Sequence, residues 1–142
     1  MSDLSDTQLR ILTALRGNSR MSVTELAAMV GVTRATAKTQ MDHMIDSGRI
    51  RRFTIETDVD VEGEVRAITM VELQGKMSRS VTKTLSRILG VSTIYATNGA
   101  WDLVVEIRTD SLVSFDRILR EIREIPGVNN SESSLLLSHV VS

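Results

Sequence analysis

The sequence predicts an α+β chain with a winged helix-turn-helix domain over residues 1–55, a connector over 56–64 and a ferredoxin-like, ACT-like βαββαβ domain over 65–142. Three observations predict this. Helical apolar stripes fill the first part, and strand-type and helix-type segments alternate in the last part. The charge also changes sign, from eight Lys or Arg against five Asp or Glu in residues 1–55, a net of +3, to nine against thirteen in residues 56–142, a net of −4.

The first helix is predicted over residues 6–16. Ser5 is its expected N-cap, because a serine hydroxyl accepts from a free amide at the helix start and the Gln8 side chain can reach back to the cap. The apolar residues that we expect to pack this helix on the next two are Leu9, Leu12 and Leu15.

Two further helices are predicted around a tight turn. Ser22 and Glu25 form a capping box at the start of the first, and Gly31 stands where a helix ends in the left-handed conformation. Thr33 is the expected N-cap of the second, which stops at Gly48. The apolar stripes are Leu26, Ala27, Met29 and Val30 in one helix and Ala37, Met41, Met44 and Ile45 in the other.

The polar face of this last helix and the segment after it carry side chains suited to DNA. Cations bind phosphates, and short donors and acceptors near a helix N-terminus reach base edges in the major groove. An arginine-flanked strand after this helix is predicted to form a small basic wing, Arg49-Ile50-Arg51-Arg52. The candidate contacts to double-stranded DNA are Ser22, Thr33, Arg34, Thr36, Lys38, Thr39, His43, Arg51 and Arg52. For a basic helix alone, a solvated face of an ordinary three-helix domain is the alternative.

The last part is predicted to run strand, helix, strand, strand, helix, strand. The segments are a strand over 65–73, a helix capped by Ser78 and closed by Gly90, strands over 91–97 and 101–109, a helix capped by Ser111 and ended by Pro126-Gly127, and a strand from Val128 toward Val141. The helical stripes are Val81, Leu85, Ile88 and Leu89, then Leu112, Phe115, Ile118, Leu119 and Ile122. Asn98-Gly99 is a hairpin signal. Leu89-Gly90-Val91 and Pro126-Gly127-Val128 each lead from a helix into a strand, which indicates a half-repeat.

One face of such a sheet is left without helices. The residues that we expect to make this face apolar are Ile68, Met70, Ile94 and Leu135 to Leu137. An exposed apolar face of this kind favours association with a second copy, so the sequence predicts a homodimer.

Composition excludes several classes of protein. Cysteine is absent, which removes disulfides, thiol catalysis and cysteine zinc fingers and fits a reducing compartment. Neither a signal-peptide pattern nor an apolar run near the ~20 residues of a membrane span occurs. We therefore expect a cytoplasmic protein that does not enter a membrane. His43 and His139 have no ligand or acid at a useful spacing, so we expect no metal site, no cofactor and no catalytic residue.

Taken together, several segments resemble the Lrp/AsnC regulators, also called feast/famine proteins. They are Leu4 to Leu12, the helix-turn-helix, the exit from Gly48 to Thr54, the Asn98-Gly99-Ala100-Trp101-Asp102 hairpin and Pro126-Gly127-Val128. The resemblance covers nearly the whole chain. It implies a transcription regulator that dimerises through the C-terminal sheet, with dimers that often assemble into octamers. It also implies that an amino acid or similar small effector binds between subunits beside the hairpin.

The hairpin chemistry agrees with that implied role. Amides around Gly99 could receive a carboxylate, Asp102 could accept from an ammonium group, and Trp101 could wall a pocket. Ser133 matches a family threonine near this site, whereas Ala100 stands where the family usually carries an Asp. The candidate effector-binding residues are Asn98, Gly99, Ala100, Trp101, Asp102 and Ser133. A plain hairpin whose indole anchors an interface is the alternative.

Two other functions are compatible with this fold. The first is a siroheme-decarboxylase-like enzyme, which resembles these regulators but uses His and basic residues around a tetrapyrrole. Because the two histidines of this chain form no recognisable constellation, we expect no enzyme activity. The second is a ligand-sensing subunit that does not bind DNA.

Overall fold

The structure of the chain, a computed structural model, describes residues 3–57 and 61–140. It divides into two compact units, residues 1–56 and 57–142. The elements are α1 (Asp6–Gly17), α2 (Val23–Val30), α3 (Arg34–Asp46), β1 (Val65–Leu73), α4 (Ser78–Leu85), β2 (Val91–Ala96), β3 (Leu103–Thr109), α5 (Leu112–Glu124) and β4 (Val128–Leu135). This order confirms the predicted α+β fold class. Residues 58–60 of the predicted connector and Val141 lie outside the described residues.

The first unit packs its three helices around one small core. The predicted capping boxes at Ser5 and Ser22 are both present. The prediction for the α1 stripe was partly wrong, because Ile11 is fully buried and Leu9 is exposed. Ile11 and Leu15 lie four residues apart on the face toward the core, and a residue two positions from Ile11 points to the other side of the helix.

The turn between α2 and α3 forms as predicted. Gly31 adopts the left-handed conformation with φ of 77°, and the Thr33 hydroxyl accepts from the Thr36 amide at the start of α3. The prediction that Met29 and Ile45 belong to the buried stripes was wrong, since they are 65% and 40% exposed. Both lie at the edges of stripes whose centres are already filled by other apolar side chains.

The predicted wing strand was wrong. Residues 49 and 50 form a bend, residues 51–53 have no regular structure, and the Ile50 amide donates to the Met44 carbonyl at 2.9 Å. A strand needs a partner ladder for its amides and carbonyls, and the described part of the first unit contains only helices and connecting segments.

The second unit is an antiparallel four-stranded sheet in the order β2-β3-β1-β4. Its core lies between one sheet face and α4 and α5. The core residues include Ala67, Val71, Leu103, Val105 and Ile107 from the strands and Val81, Leu85, Ile118 and Ile122 from the helices. The ferredoxin-like arrangement is therefore confirmed.

Several local predictions in the second unit were wrong. β2 ends at Ala96 and β3 begins at Leu103, so Trp101 and Asp102 lie in a loop rather than a strand. α4 begins at Ser78 itself, and β4 ends at Leu135, short of Val141. Leu89 and Leu112 are 81% and 61% exposed, because each lies just outside or at the first residue of its helix, away from the core stripe.

The strand register shows which residues lie on the sheet face that no helix covers, called here the open face. Two residues were wrongly predicted there. Ile94 is paired with Val105 and Leu135 with Ala67, so both share the helix-covered face and were wrongly predicted on the other. Directly opposed residues in an antiparallel pair point to the same side. The apolar residues that alternation places on the open face are Ile68, Met70, Tyr95, Val104 and Leu136.

Two glycines join the halves of the second unit. Gly90 and Gly127 both have φ of 103°. A Cβ at Gly90 would lie 2.5 Å from Cδ1 of Ile118 on α5, and one at Gly127 would lie 2.9 Å from Cγ2 of Val81 on α4. The two halves of the repeat therefore pack on each other, because the residue that follows each helix lies against the helix of the other half.

We predict that Gly127→Ala destabilises the protein by about 2–4 kcal/mol, because it combines a left-handed backbone with a clash against buried atoms. Gly75→Ala is the matched control, because Gly75 also has a positive φ, of 62°, but a Cβ added there would meet nothing within 4 Å. It should lower stability by only about 1 kcal/mol. Urea unfolding of both variants measures the difference. Equal losses would show that close packing at Gly127 contributes nothing.

Candidate nucleic-acid interface and ligand site

α3 presents a polar face opposite its buried residues. Ala37 and Met44 are fully buried against the core of the first unit. The predicted DNA-contacting residues of this helix are all exposed, and they are Arg34, Thr36, Lys38, Thr39 and His43. All five side chains are therefore accessible, with Arg34 and Lys38 on one side of the exposed surface and Thr36, Thr39 and His43 on the other.

Two predicted contact residues also maintain the helix starts. The Thr33 hydroxyl accepts from the Thr36 amide at 3.2 Å and donates to the Thr36 hydroxyl at 2.9 Å. The Ser22 hydroxyl accepts from the Glu25 amide at 3.1 Å, a bond that uses an oxygen lone pair and not the hydroxyl hydrogen. Ser22 can therefore donate to a phosphate without losing its cap, whereas the Thr33 hydroxyl is already used as both donor and acceptor.

Lys38 forms an ion pair along α3. Its Nζ lies 2.9 Å from Oδ2 of Asp42, and both side chains are substantially exposed. Exposed i,i+4 pairs contribute only about 0.3–0.5 kcal/mol, so a phosphate can displace the carboxylate at little cost. The pair positions the ammonium group along the helix surface in the free protein.

Two side-chain contacts from α1 hold the helix-turn-helix, and sequence reasoning missed both. Gln8 Nε2 donates to Gln40 Oε1 on α3 at 3.0 Å, and Arg10 Nη1 donates to the Val30 carbonyl at the end of α2 at 2.6 Å. The only sequence signal was Gln8 at a capping-box position. That position explains why Gln8 Oε1 accepts from the Ser5 amide, but it does not explain the contact between Gln8 Nε2 and Gln40.

Arg51 and Arg52 follow α3 in a segment without strand pairing. Both are exposed, as predicted for phosphate contacts. No strand ladder within the described residues pairs the backbone of this segment.

The hairpin loop occupies residues 97–102 and is closed by the Thr97 amide, which donates to the Asp102 carbonyl at 3.0 Å. The Thr97 hydroxyl also donates to the Trp101 carbonyl. Asn98, Gly99 and Ala100 at the loop tip are exposed, and the Trp101 side chain is partly buried. The tip therefore offers backbone amides and an indole to a ligand.

Asp102 fastens this loop to the end of β1. Its amide donates to the Val71 carbonyl at 2.9 Å, and its Oδ2 accepts from the Leu73 amide at 2.7 Å. One carboxylate oxygen is therefore already bonded to the fold, which leaves less of the group for the ammonium contact that the sequence suggested.

Ser133 lies on the helix-covered face of the sheet. It is paired with Thr69 of β1, and the two hydroxyl oxygens are 2.7 Å apart. Thr69 is fully buried. β1 is the element that Ser133 and the hairpin loop share, because Asp102 bonds Val71 two residues beyond Thr69. The connection between Ser133 and the loop therefore runs through this strand.

The described residues contain no group of three His, Cys, Asp or Glu side chains that could hold a metal ion. Within residues 3–57 and 61–140, no helix is long and apolar enough to cross a membrane. His43 and His139 belong to different units, and His139 Nε2 lies 3.5 Å from Arg66 Nη1.

Comparison with known proteins gives two family matches. The family model for the Lrp/AsnC ligand binding domain matches residues 66–142, and that for a winged helix-turn-helix DNA-binding domain matches residues 4–51. The chain is 33% identical to the HTH-type transcriptional regulator LysM of Saccharolobus solfataricus over 137 residues, which cover 96% of this chain and 95% of LysM.

Two solved structures share the fold. The crystal structure of PH0061 matches with a TM-score of 0.79 at 25% identity and covers 100% of this chain and 97% of that chain. The transcriptional regulator NMB0573 of Neisseria meningitidis, solved as a complex with L-Met, matches with a TM-score of 0.68 at 20% identity, covering 99% of this chain and 94% of that chain. The second likeness shows the fold alone.

We predict that Asp102→Ala lowers the free energy of unfolding by about 1–2 kcal/mol, because the Leu73 amide loses a charged acceptor. Asp102→Asn keeps a carbonyl acceptor and should lose less than half as much. Urea unfolding followed by the fluorescence of Trp101, the single tryptophan, tests this. An alanine variant as stable as the parent would mean that this bond does not hold the loop.

Proposed function

Because the chain belongs to the Lrp/AsnC family of transcriptional regulators, we propose that α3 enters the major groove of operator DNA and that a small metabolite bound at the 97–102 loop modulates this contact. The protein is a DNA-binding transcriptional regulator with a ligand-binding domain, and it is not an enzyme. We assign DNA binding to residues 1–55, the connector to 56–64, and effector binding and assembly to 65–142. We place the protein in the cytoplasm, where DNA and metabolites are both present.

The observation that supports the DNA proposal is the polar face of α3. Arg34 and Lys38 lie four residues apart near the helix start, so one supplies a guanidinium and the other an ammonium to the same groove. Thr36 and Thr39 supply short hydroxyls on the adjoining side of the same exposed helix surface. Ser22, Thr33 and His43 flank it, and Arg51 and Arg52 contact phosphates beside it.

Dimerisation is proposed through the open face of the sheet. Ile68, Met70, Tyr95, Val104 and Leu136 give that face an apolar centre. A dimer presents two copies of the α3 surface, which compensates for the modest net charge of +3 in residues 1–55. Assembly of dimers into octamers follows the family pattern.

The effector is proposed to be a small carboxylate-bearing metabolite. The exposed amides around Gly99 suit a carboxylate, and Trp101 suits an apolar side chain. The Ala100 side chain cannot accept from an ammonium group, and one oxygen of Asp102 already accepts from Leu73. This shortage of acceptors favours a ligand without an amino group, such as a 2-oxo acid, over the matching amino acid. NMB0573 was solved as a complex with L-Met. Each 2-oxo acid should therefore be compared with its matching amino acid.

We predict that the double variant Arg34→Ala/Lys38→Ala weakens operator binding by roughly 10- to 1,000-fold, because it removes a groove contact and a phosphate contact. Arg16→Ala/Arg20→Ala is the matched control. It removes the same charge from exposed positions of the same unit and should change affinity by about twofold or less. Fluorescence anisotropy with an operator found by genome-wide mapping makes the measurement. Equal effects of the two double variants would contradict docking through α3.

We predict that calorimetry with paired amino acids and 2-oxo acids finds at least equal affinity for the oxo acid, because Asp102 is the one carboxylate of the loop and one of its oxygens already accepts from the Leu73 amide. Gly99→Val should weaken binding about tenfold or more by filling the approach to the amides. This change suits the test, since Gly99 has open space around it and no left-handed backbone. Undiminished binding to Gly99→Val would place the effector elsewhere, and clear preference for the amino acid would contradict the oxo-acid proposal.

A further inference from the structure

The positive charge of the second unit is concentrated in one short segment. Between Glu72 and Asp102 the chain has no acidic residue. The cations of this segment, which we call the basic ridge, are Lys76, Arg79, Lys83 and Arg87. They are four of the nine cations in residues 56–142, so the remainder holds five against thirteen carboxylates. Charge of one sign is therefore gathered on a unit that is otherwise strongly acidic.

Helix geometry places two of these cations on one side of α4. Arg79 and Lys83 lie four residues apart in α4, and Arg87 follows in a turn whose amide donates to the Thr84 carbonyl at 3.1 Å. Val81 and Leu85 are fully buried on the other side of the helix. Residues four apart lie along one helix face about 6 Å apart, so Arg79 and Lys83 are stacked along α4, and Lys76 and Arg87 lie in the segments just before and just after it.

The ridge is solvent-exposed and unpaired. All four of its side chains are exposed, and none takes part in a salt bridge within the described parts of the chain. The cations of α5 differ, because they alternate with carboxylates and Arg120 lies 2.7 Å from Asp116. Like charges four residues apart destabilise a helix by a few tenths of a kcal/mol. Stacked cations without a partner are thus mildly unfavourable unless an anion binds to them.

The side chains between the cations indicate which anion. Ser80, Thr84 and Ser86 are short, and their hydroxyls donate to carbonyls of the same helix or turn. Residues 76–87 contain no aromatic side chain for stacking and no amide side chain for reading base edges. Such a surface fits a regular array of phosphates, recognised by charge and not by sequence.

We propose that the basic ridge is a second DNA contact, which binds the phosphate backbone of duplex DNA without reading its sequence. It adds affinity for any duplex and leaves discrimination to the first unit. It also explains how a unit with a net charge of −4 can approach DNA, since its acidic residues lie outside the segment that makes the contact.

The test is the salt dependence of DNA binding by the full-length protein. Arg79→Gln/Lys83→Gln/Arg87→Gln is compared with Arg117→Gln/Arg120→Gln/Arg123→Gln, which removes the same charge from exposed positions of α5. Both are titrated with an operator duplex that has long flanks and with a scrambled duplex. The ridge variant should lower the slope of log K against log salt by up to about 2.7 per bound protomer, whereas the control should follow the parent.

The ratio of operator to scrambled affinity should stay the same in the ridge variant, which separates this contact from α3. A slope equal to that of the parent would overturn the proposal and leave the ridge as a solvated face. The second measurement is light scattering of both variants without DNA, which reports their state of assembly. Loss of assembly with an unchanged slope would overturn the proposal in favour of an acidic surface on another copy. If the triple variant does not fold, Lys83→Gln alone should lower the slope by about 0.9 per bound protomer.

Discussion

Close packing at Gly90 and Gly127 is the constraint on which the second unit depends. At each position the chain leaves a helix, turns in a left-handed conformation and enters a strand against a buried side chain of the other half. Only a residue without a Cβ fits both requirements. Because each exit is packed on the opposite helix, the two halves cannot shift independently, and the strand positions that they supply become mutually fixed.

A sheet held in this way can support a loop whose own residues are mostly exposed. β1 is central in this support, since it pairs with β3 and β4, bonds Asp102 through Val71 and Leu73, and places Thr69 against Ser133. At the effector site that we propose, β1 is therefore the first element that a ligand moving the loop would affect. Allosteric control of DNA binding requires that the ligand favour one arrangement of the assembly over another, and this strand is a route by which the loop can bias the open face.

The first unit has a small core, and helix caps and side-chain contacts between its helices also define its structure. Caps at Ser5, Ser22 and Thr33 define where each helix begins, and the contacts of Gln8 and Arg10 set α1 against the other two helices. The surface of α3 is left polar and accessible as a result. Its cations are few, which is why we propose a dimer that repeats this surface and a second contact through the basic ridge.

The sequence by itself determined the fold class, the starts of α1, α2, α3 and α5, the left-handed turn at Gly31 and the exposed polar residues of α3, because caps, glycines and helical periodicity act over a few residues. It also identified the hairpin loop by its residues. Tertiary structure alone decided which side of the sheet holds Ile94, why no strand forms after α3, and that Asp102 is bonded to Leu73. These features depend on strand register and on partners distant in the chain, and a one-residue change of register turns every side chain to the other face.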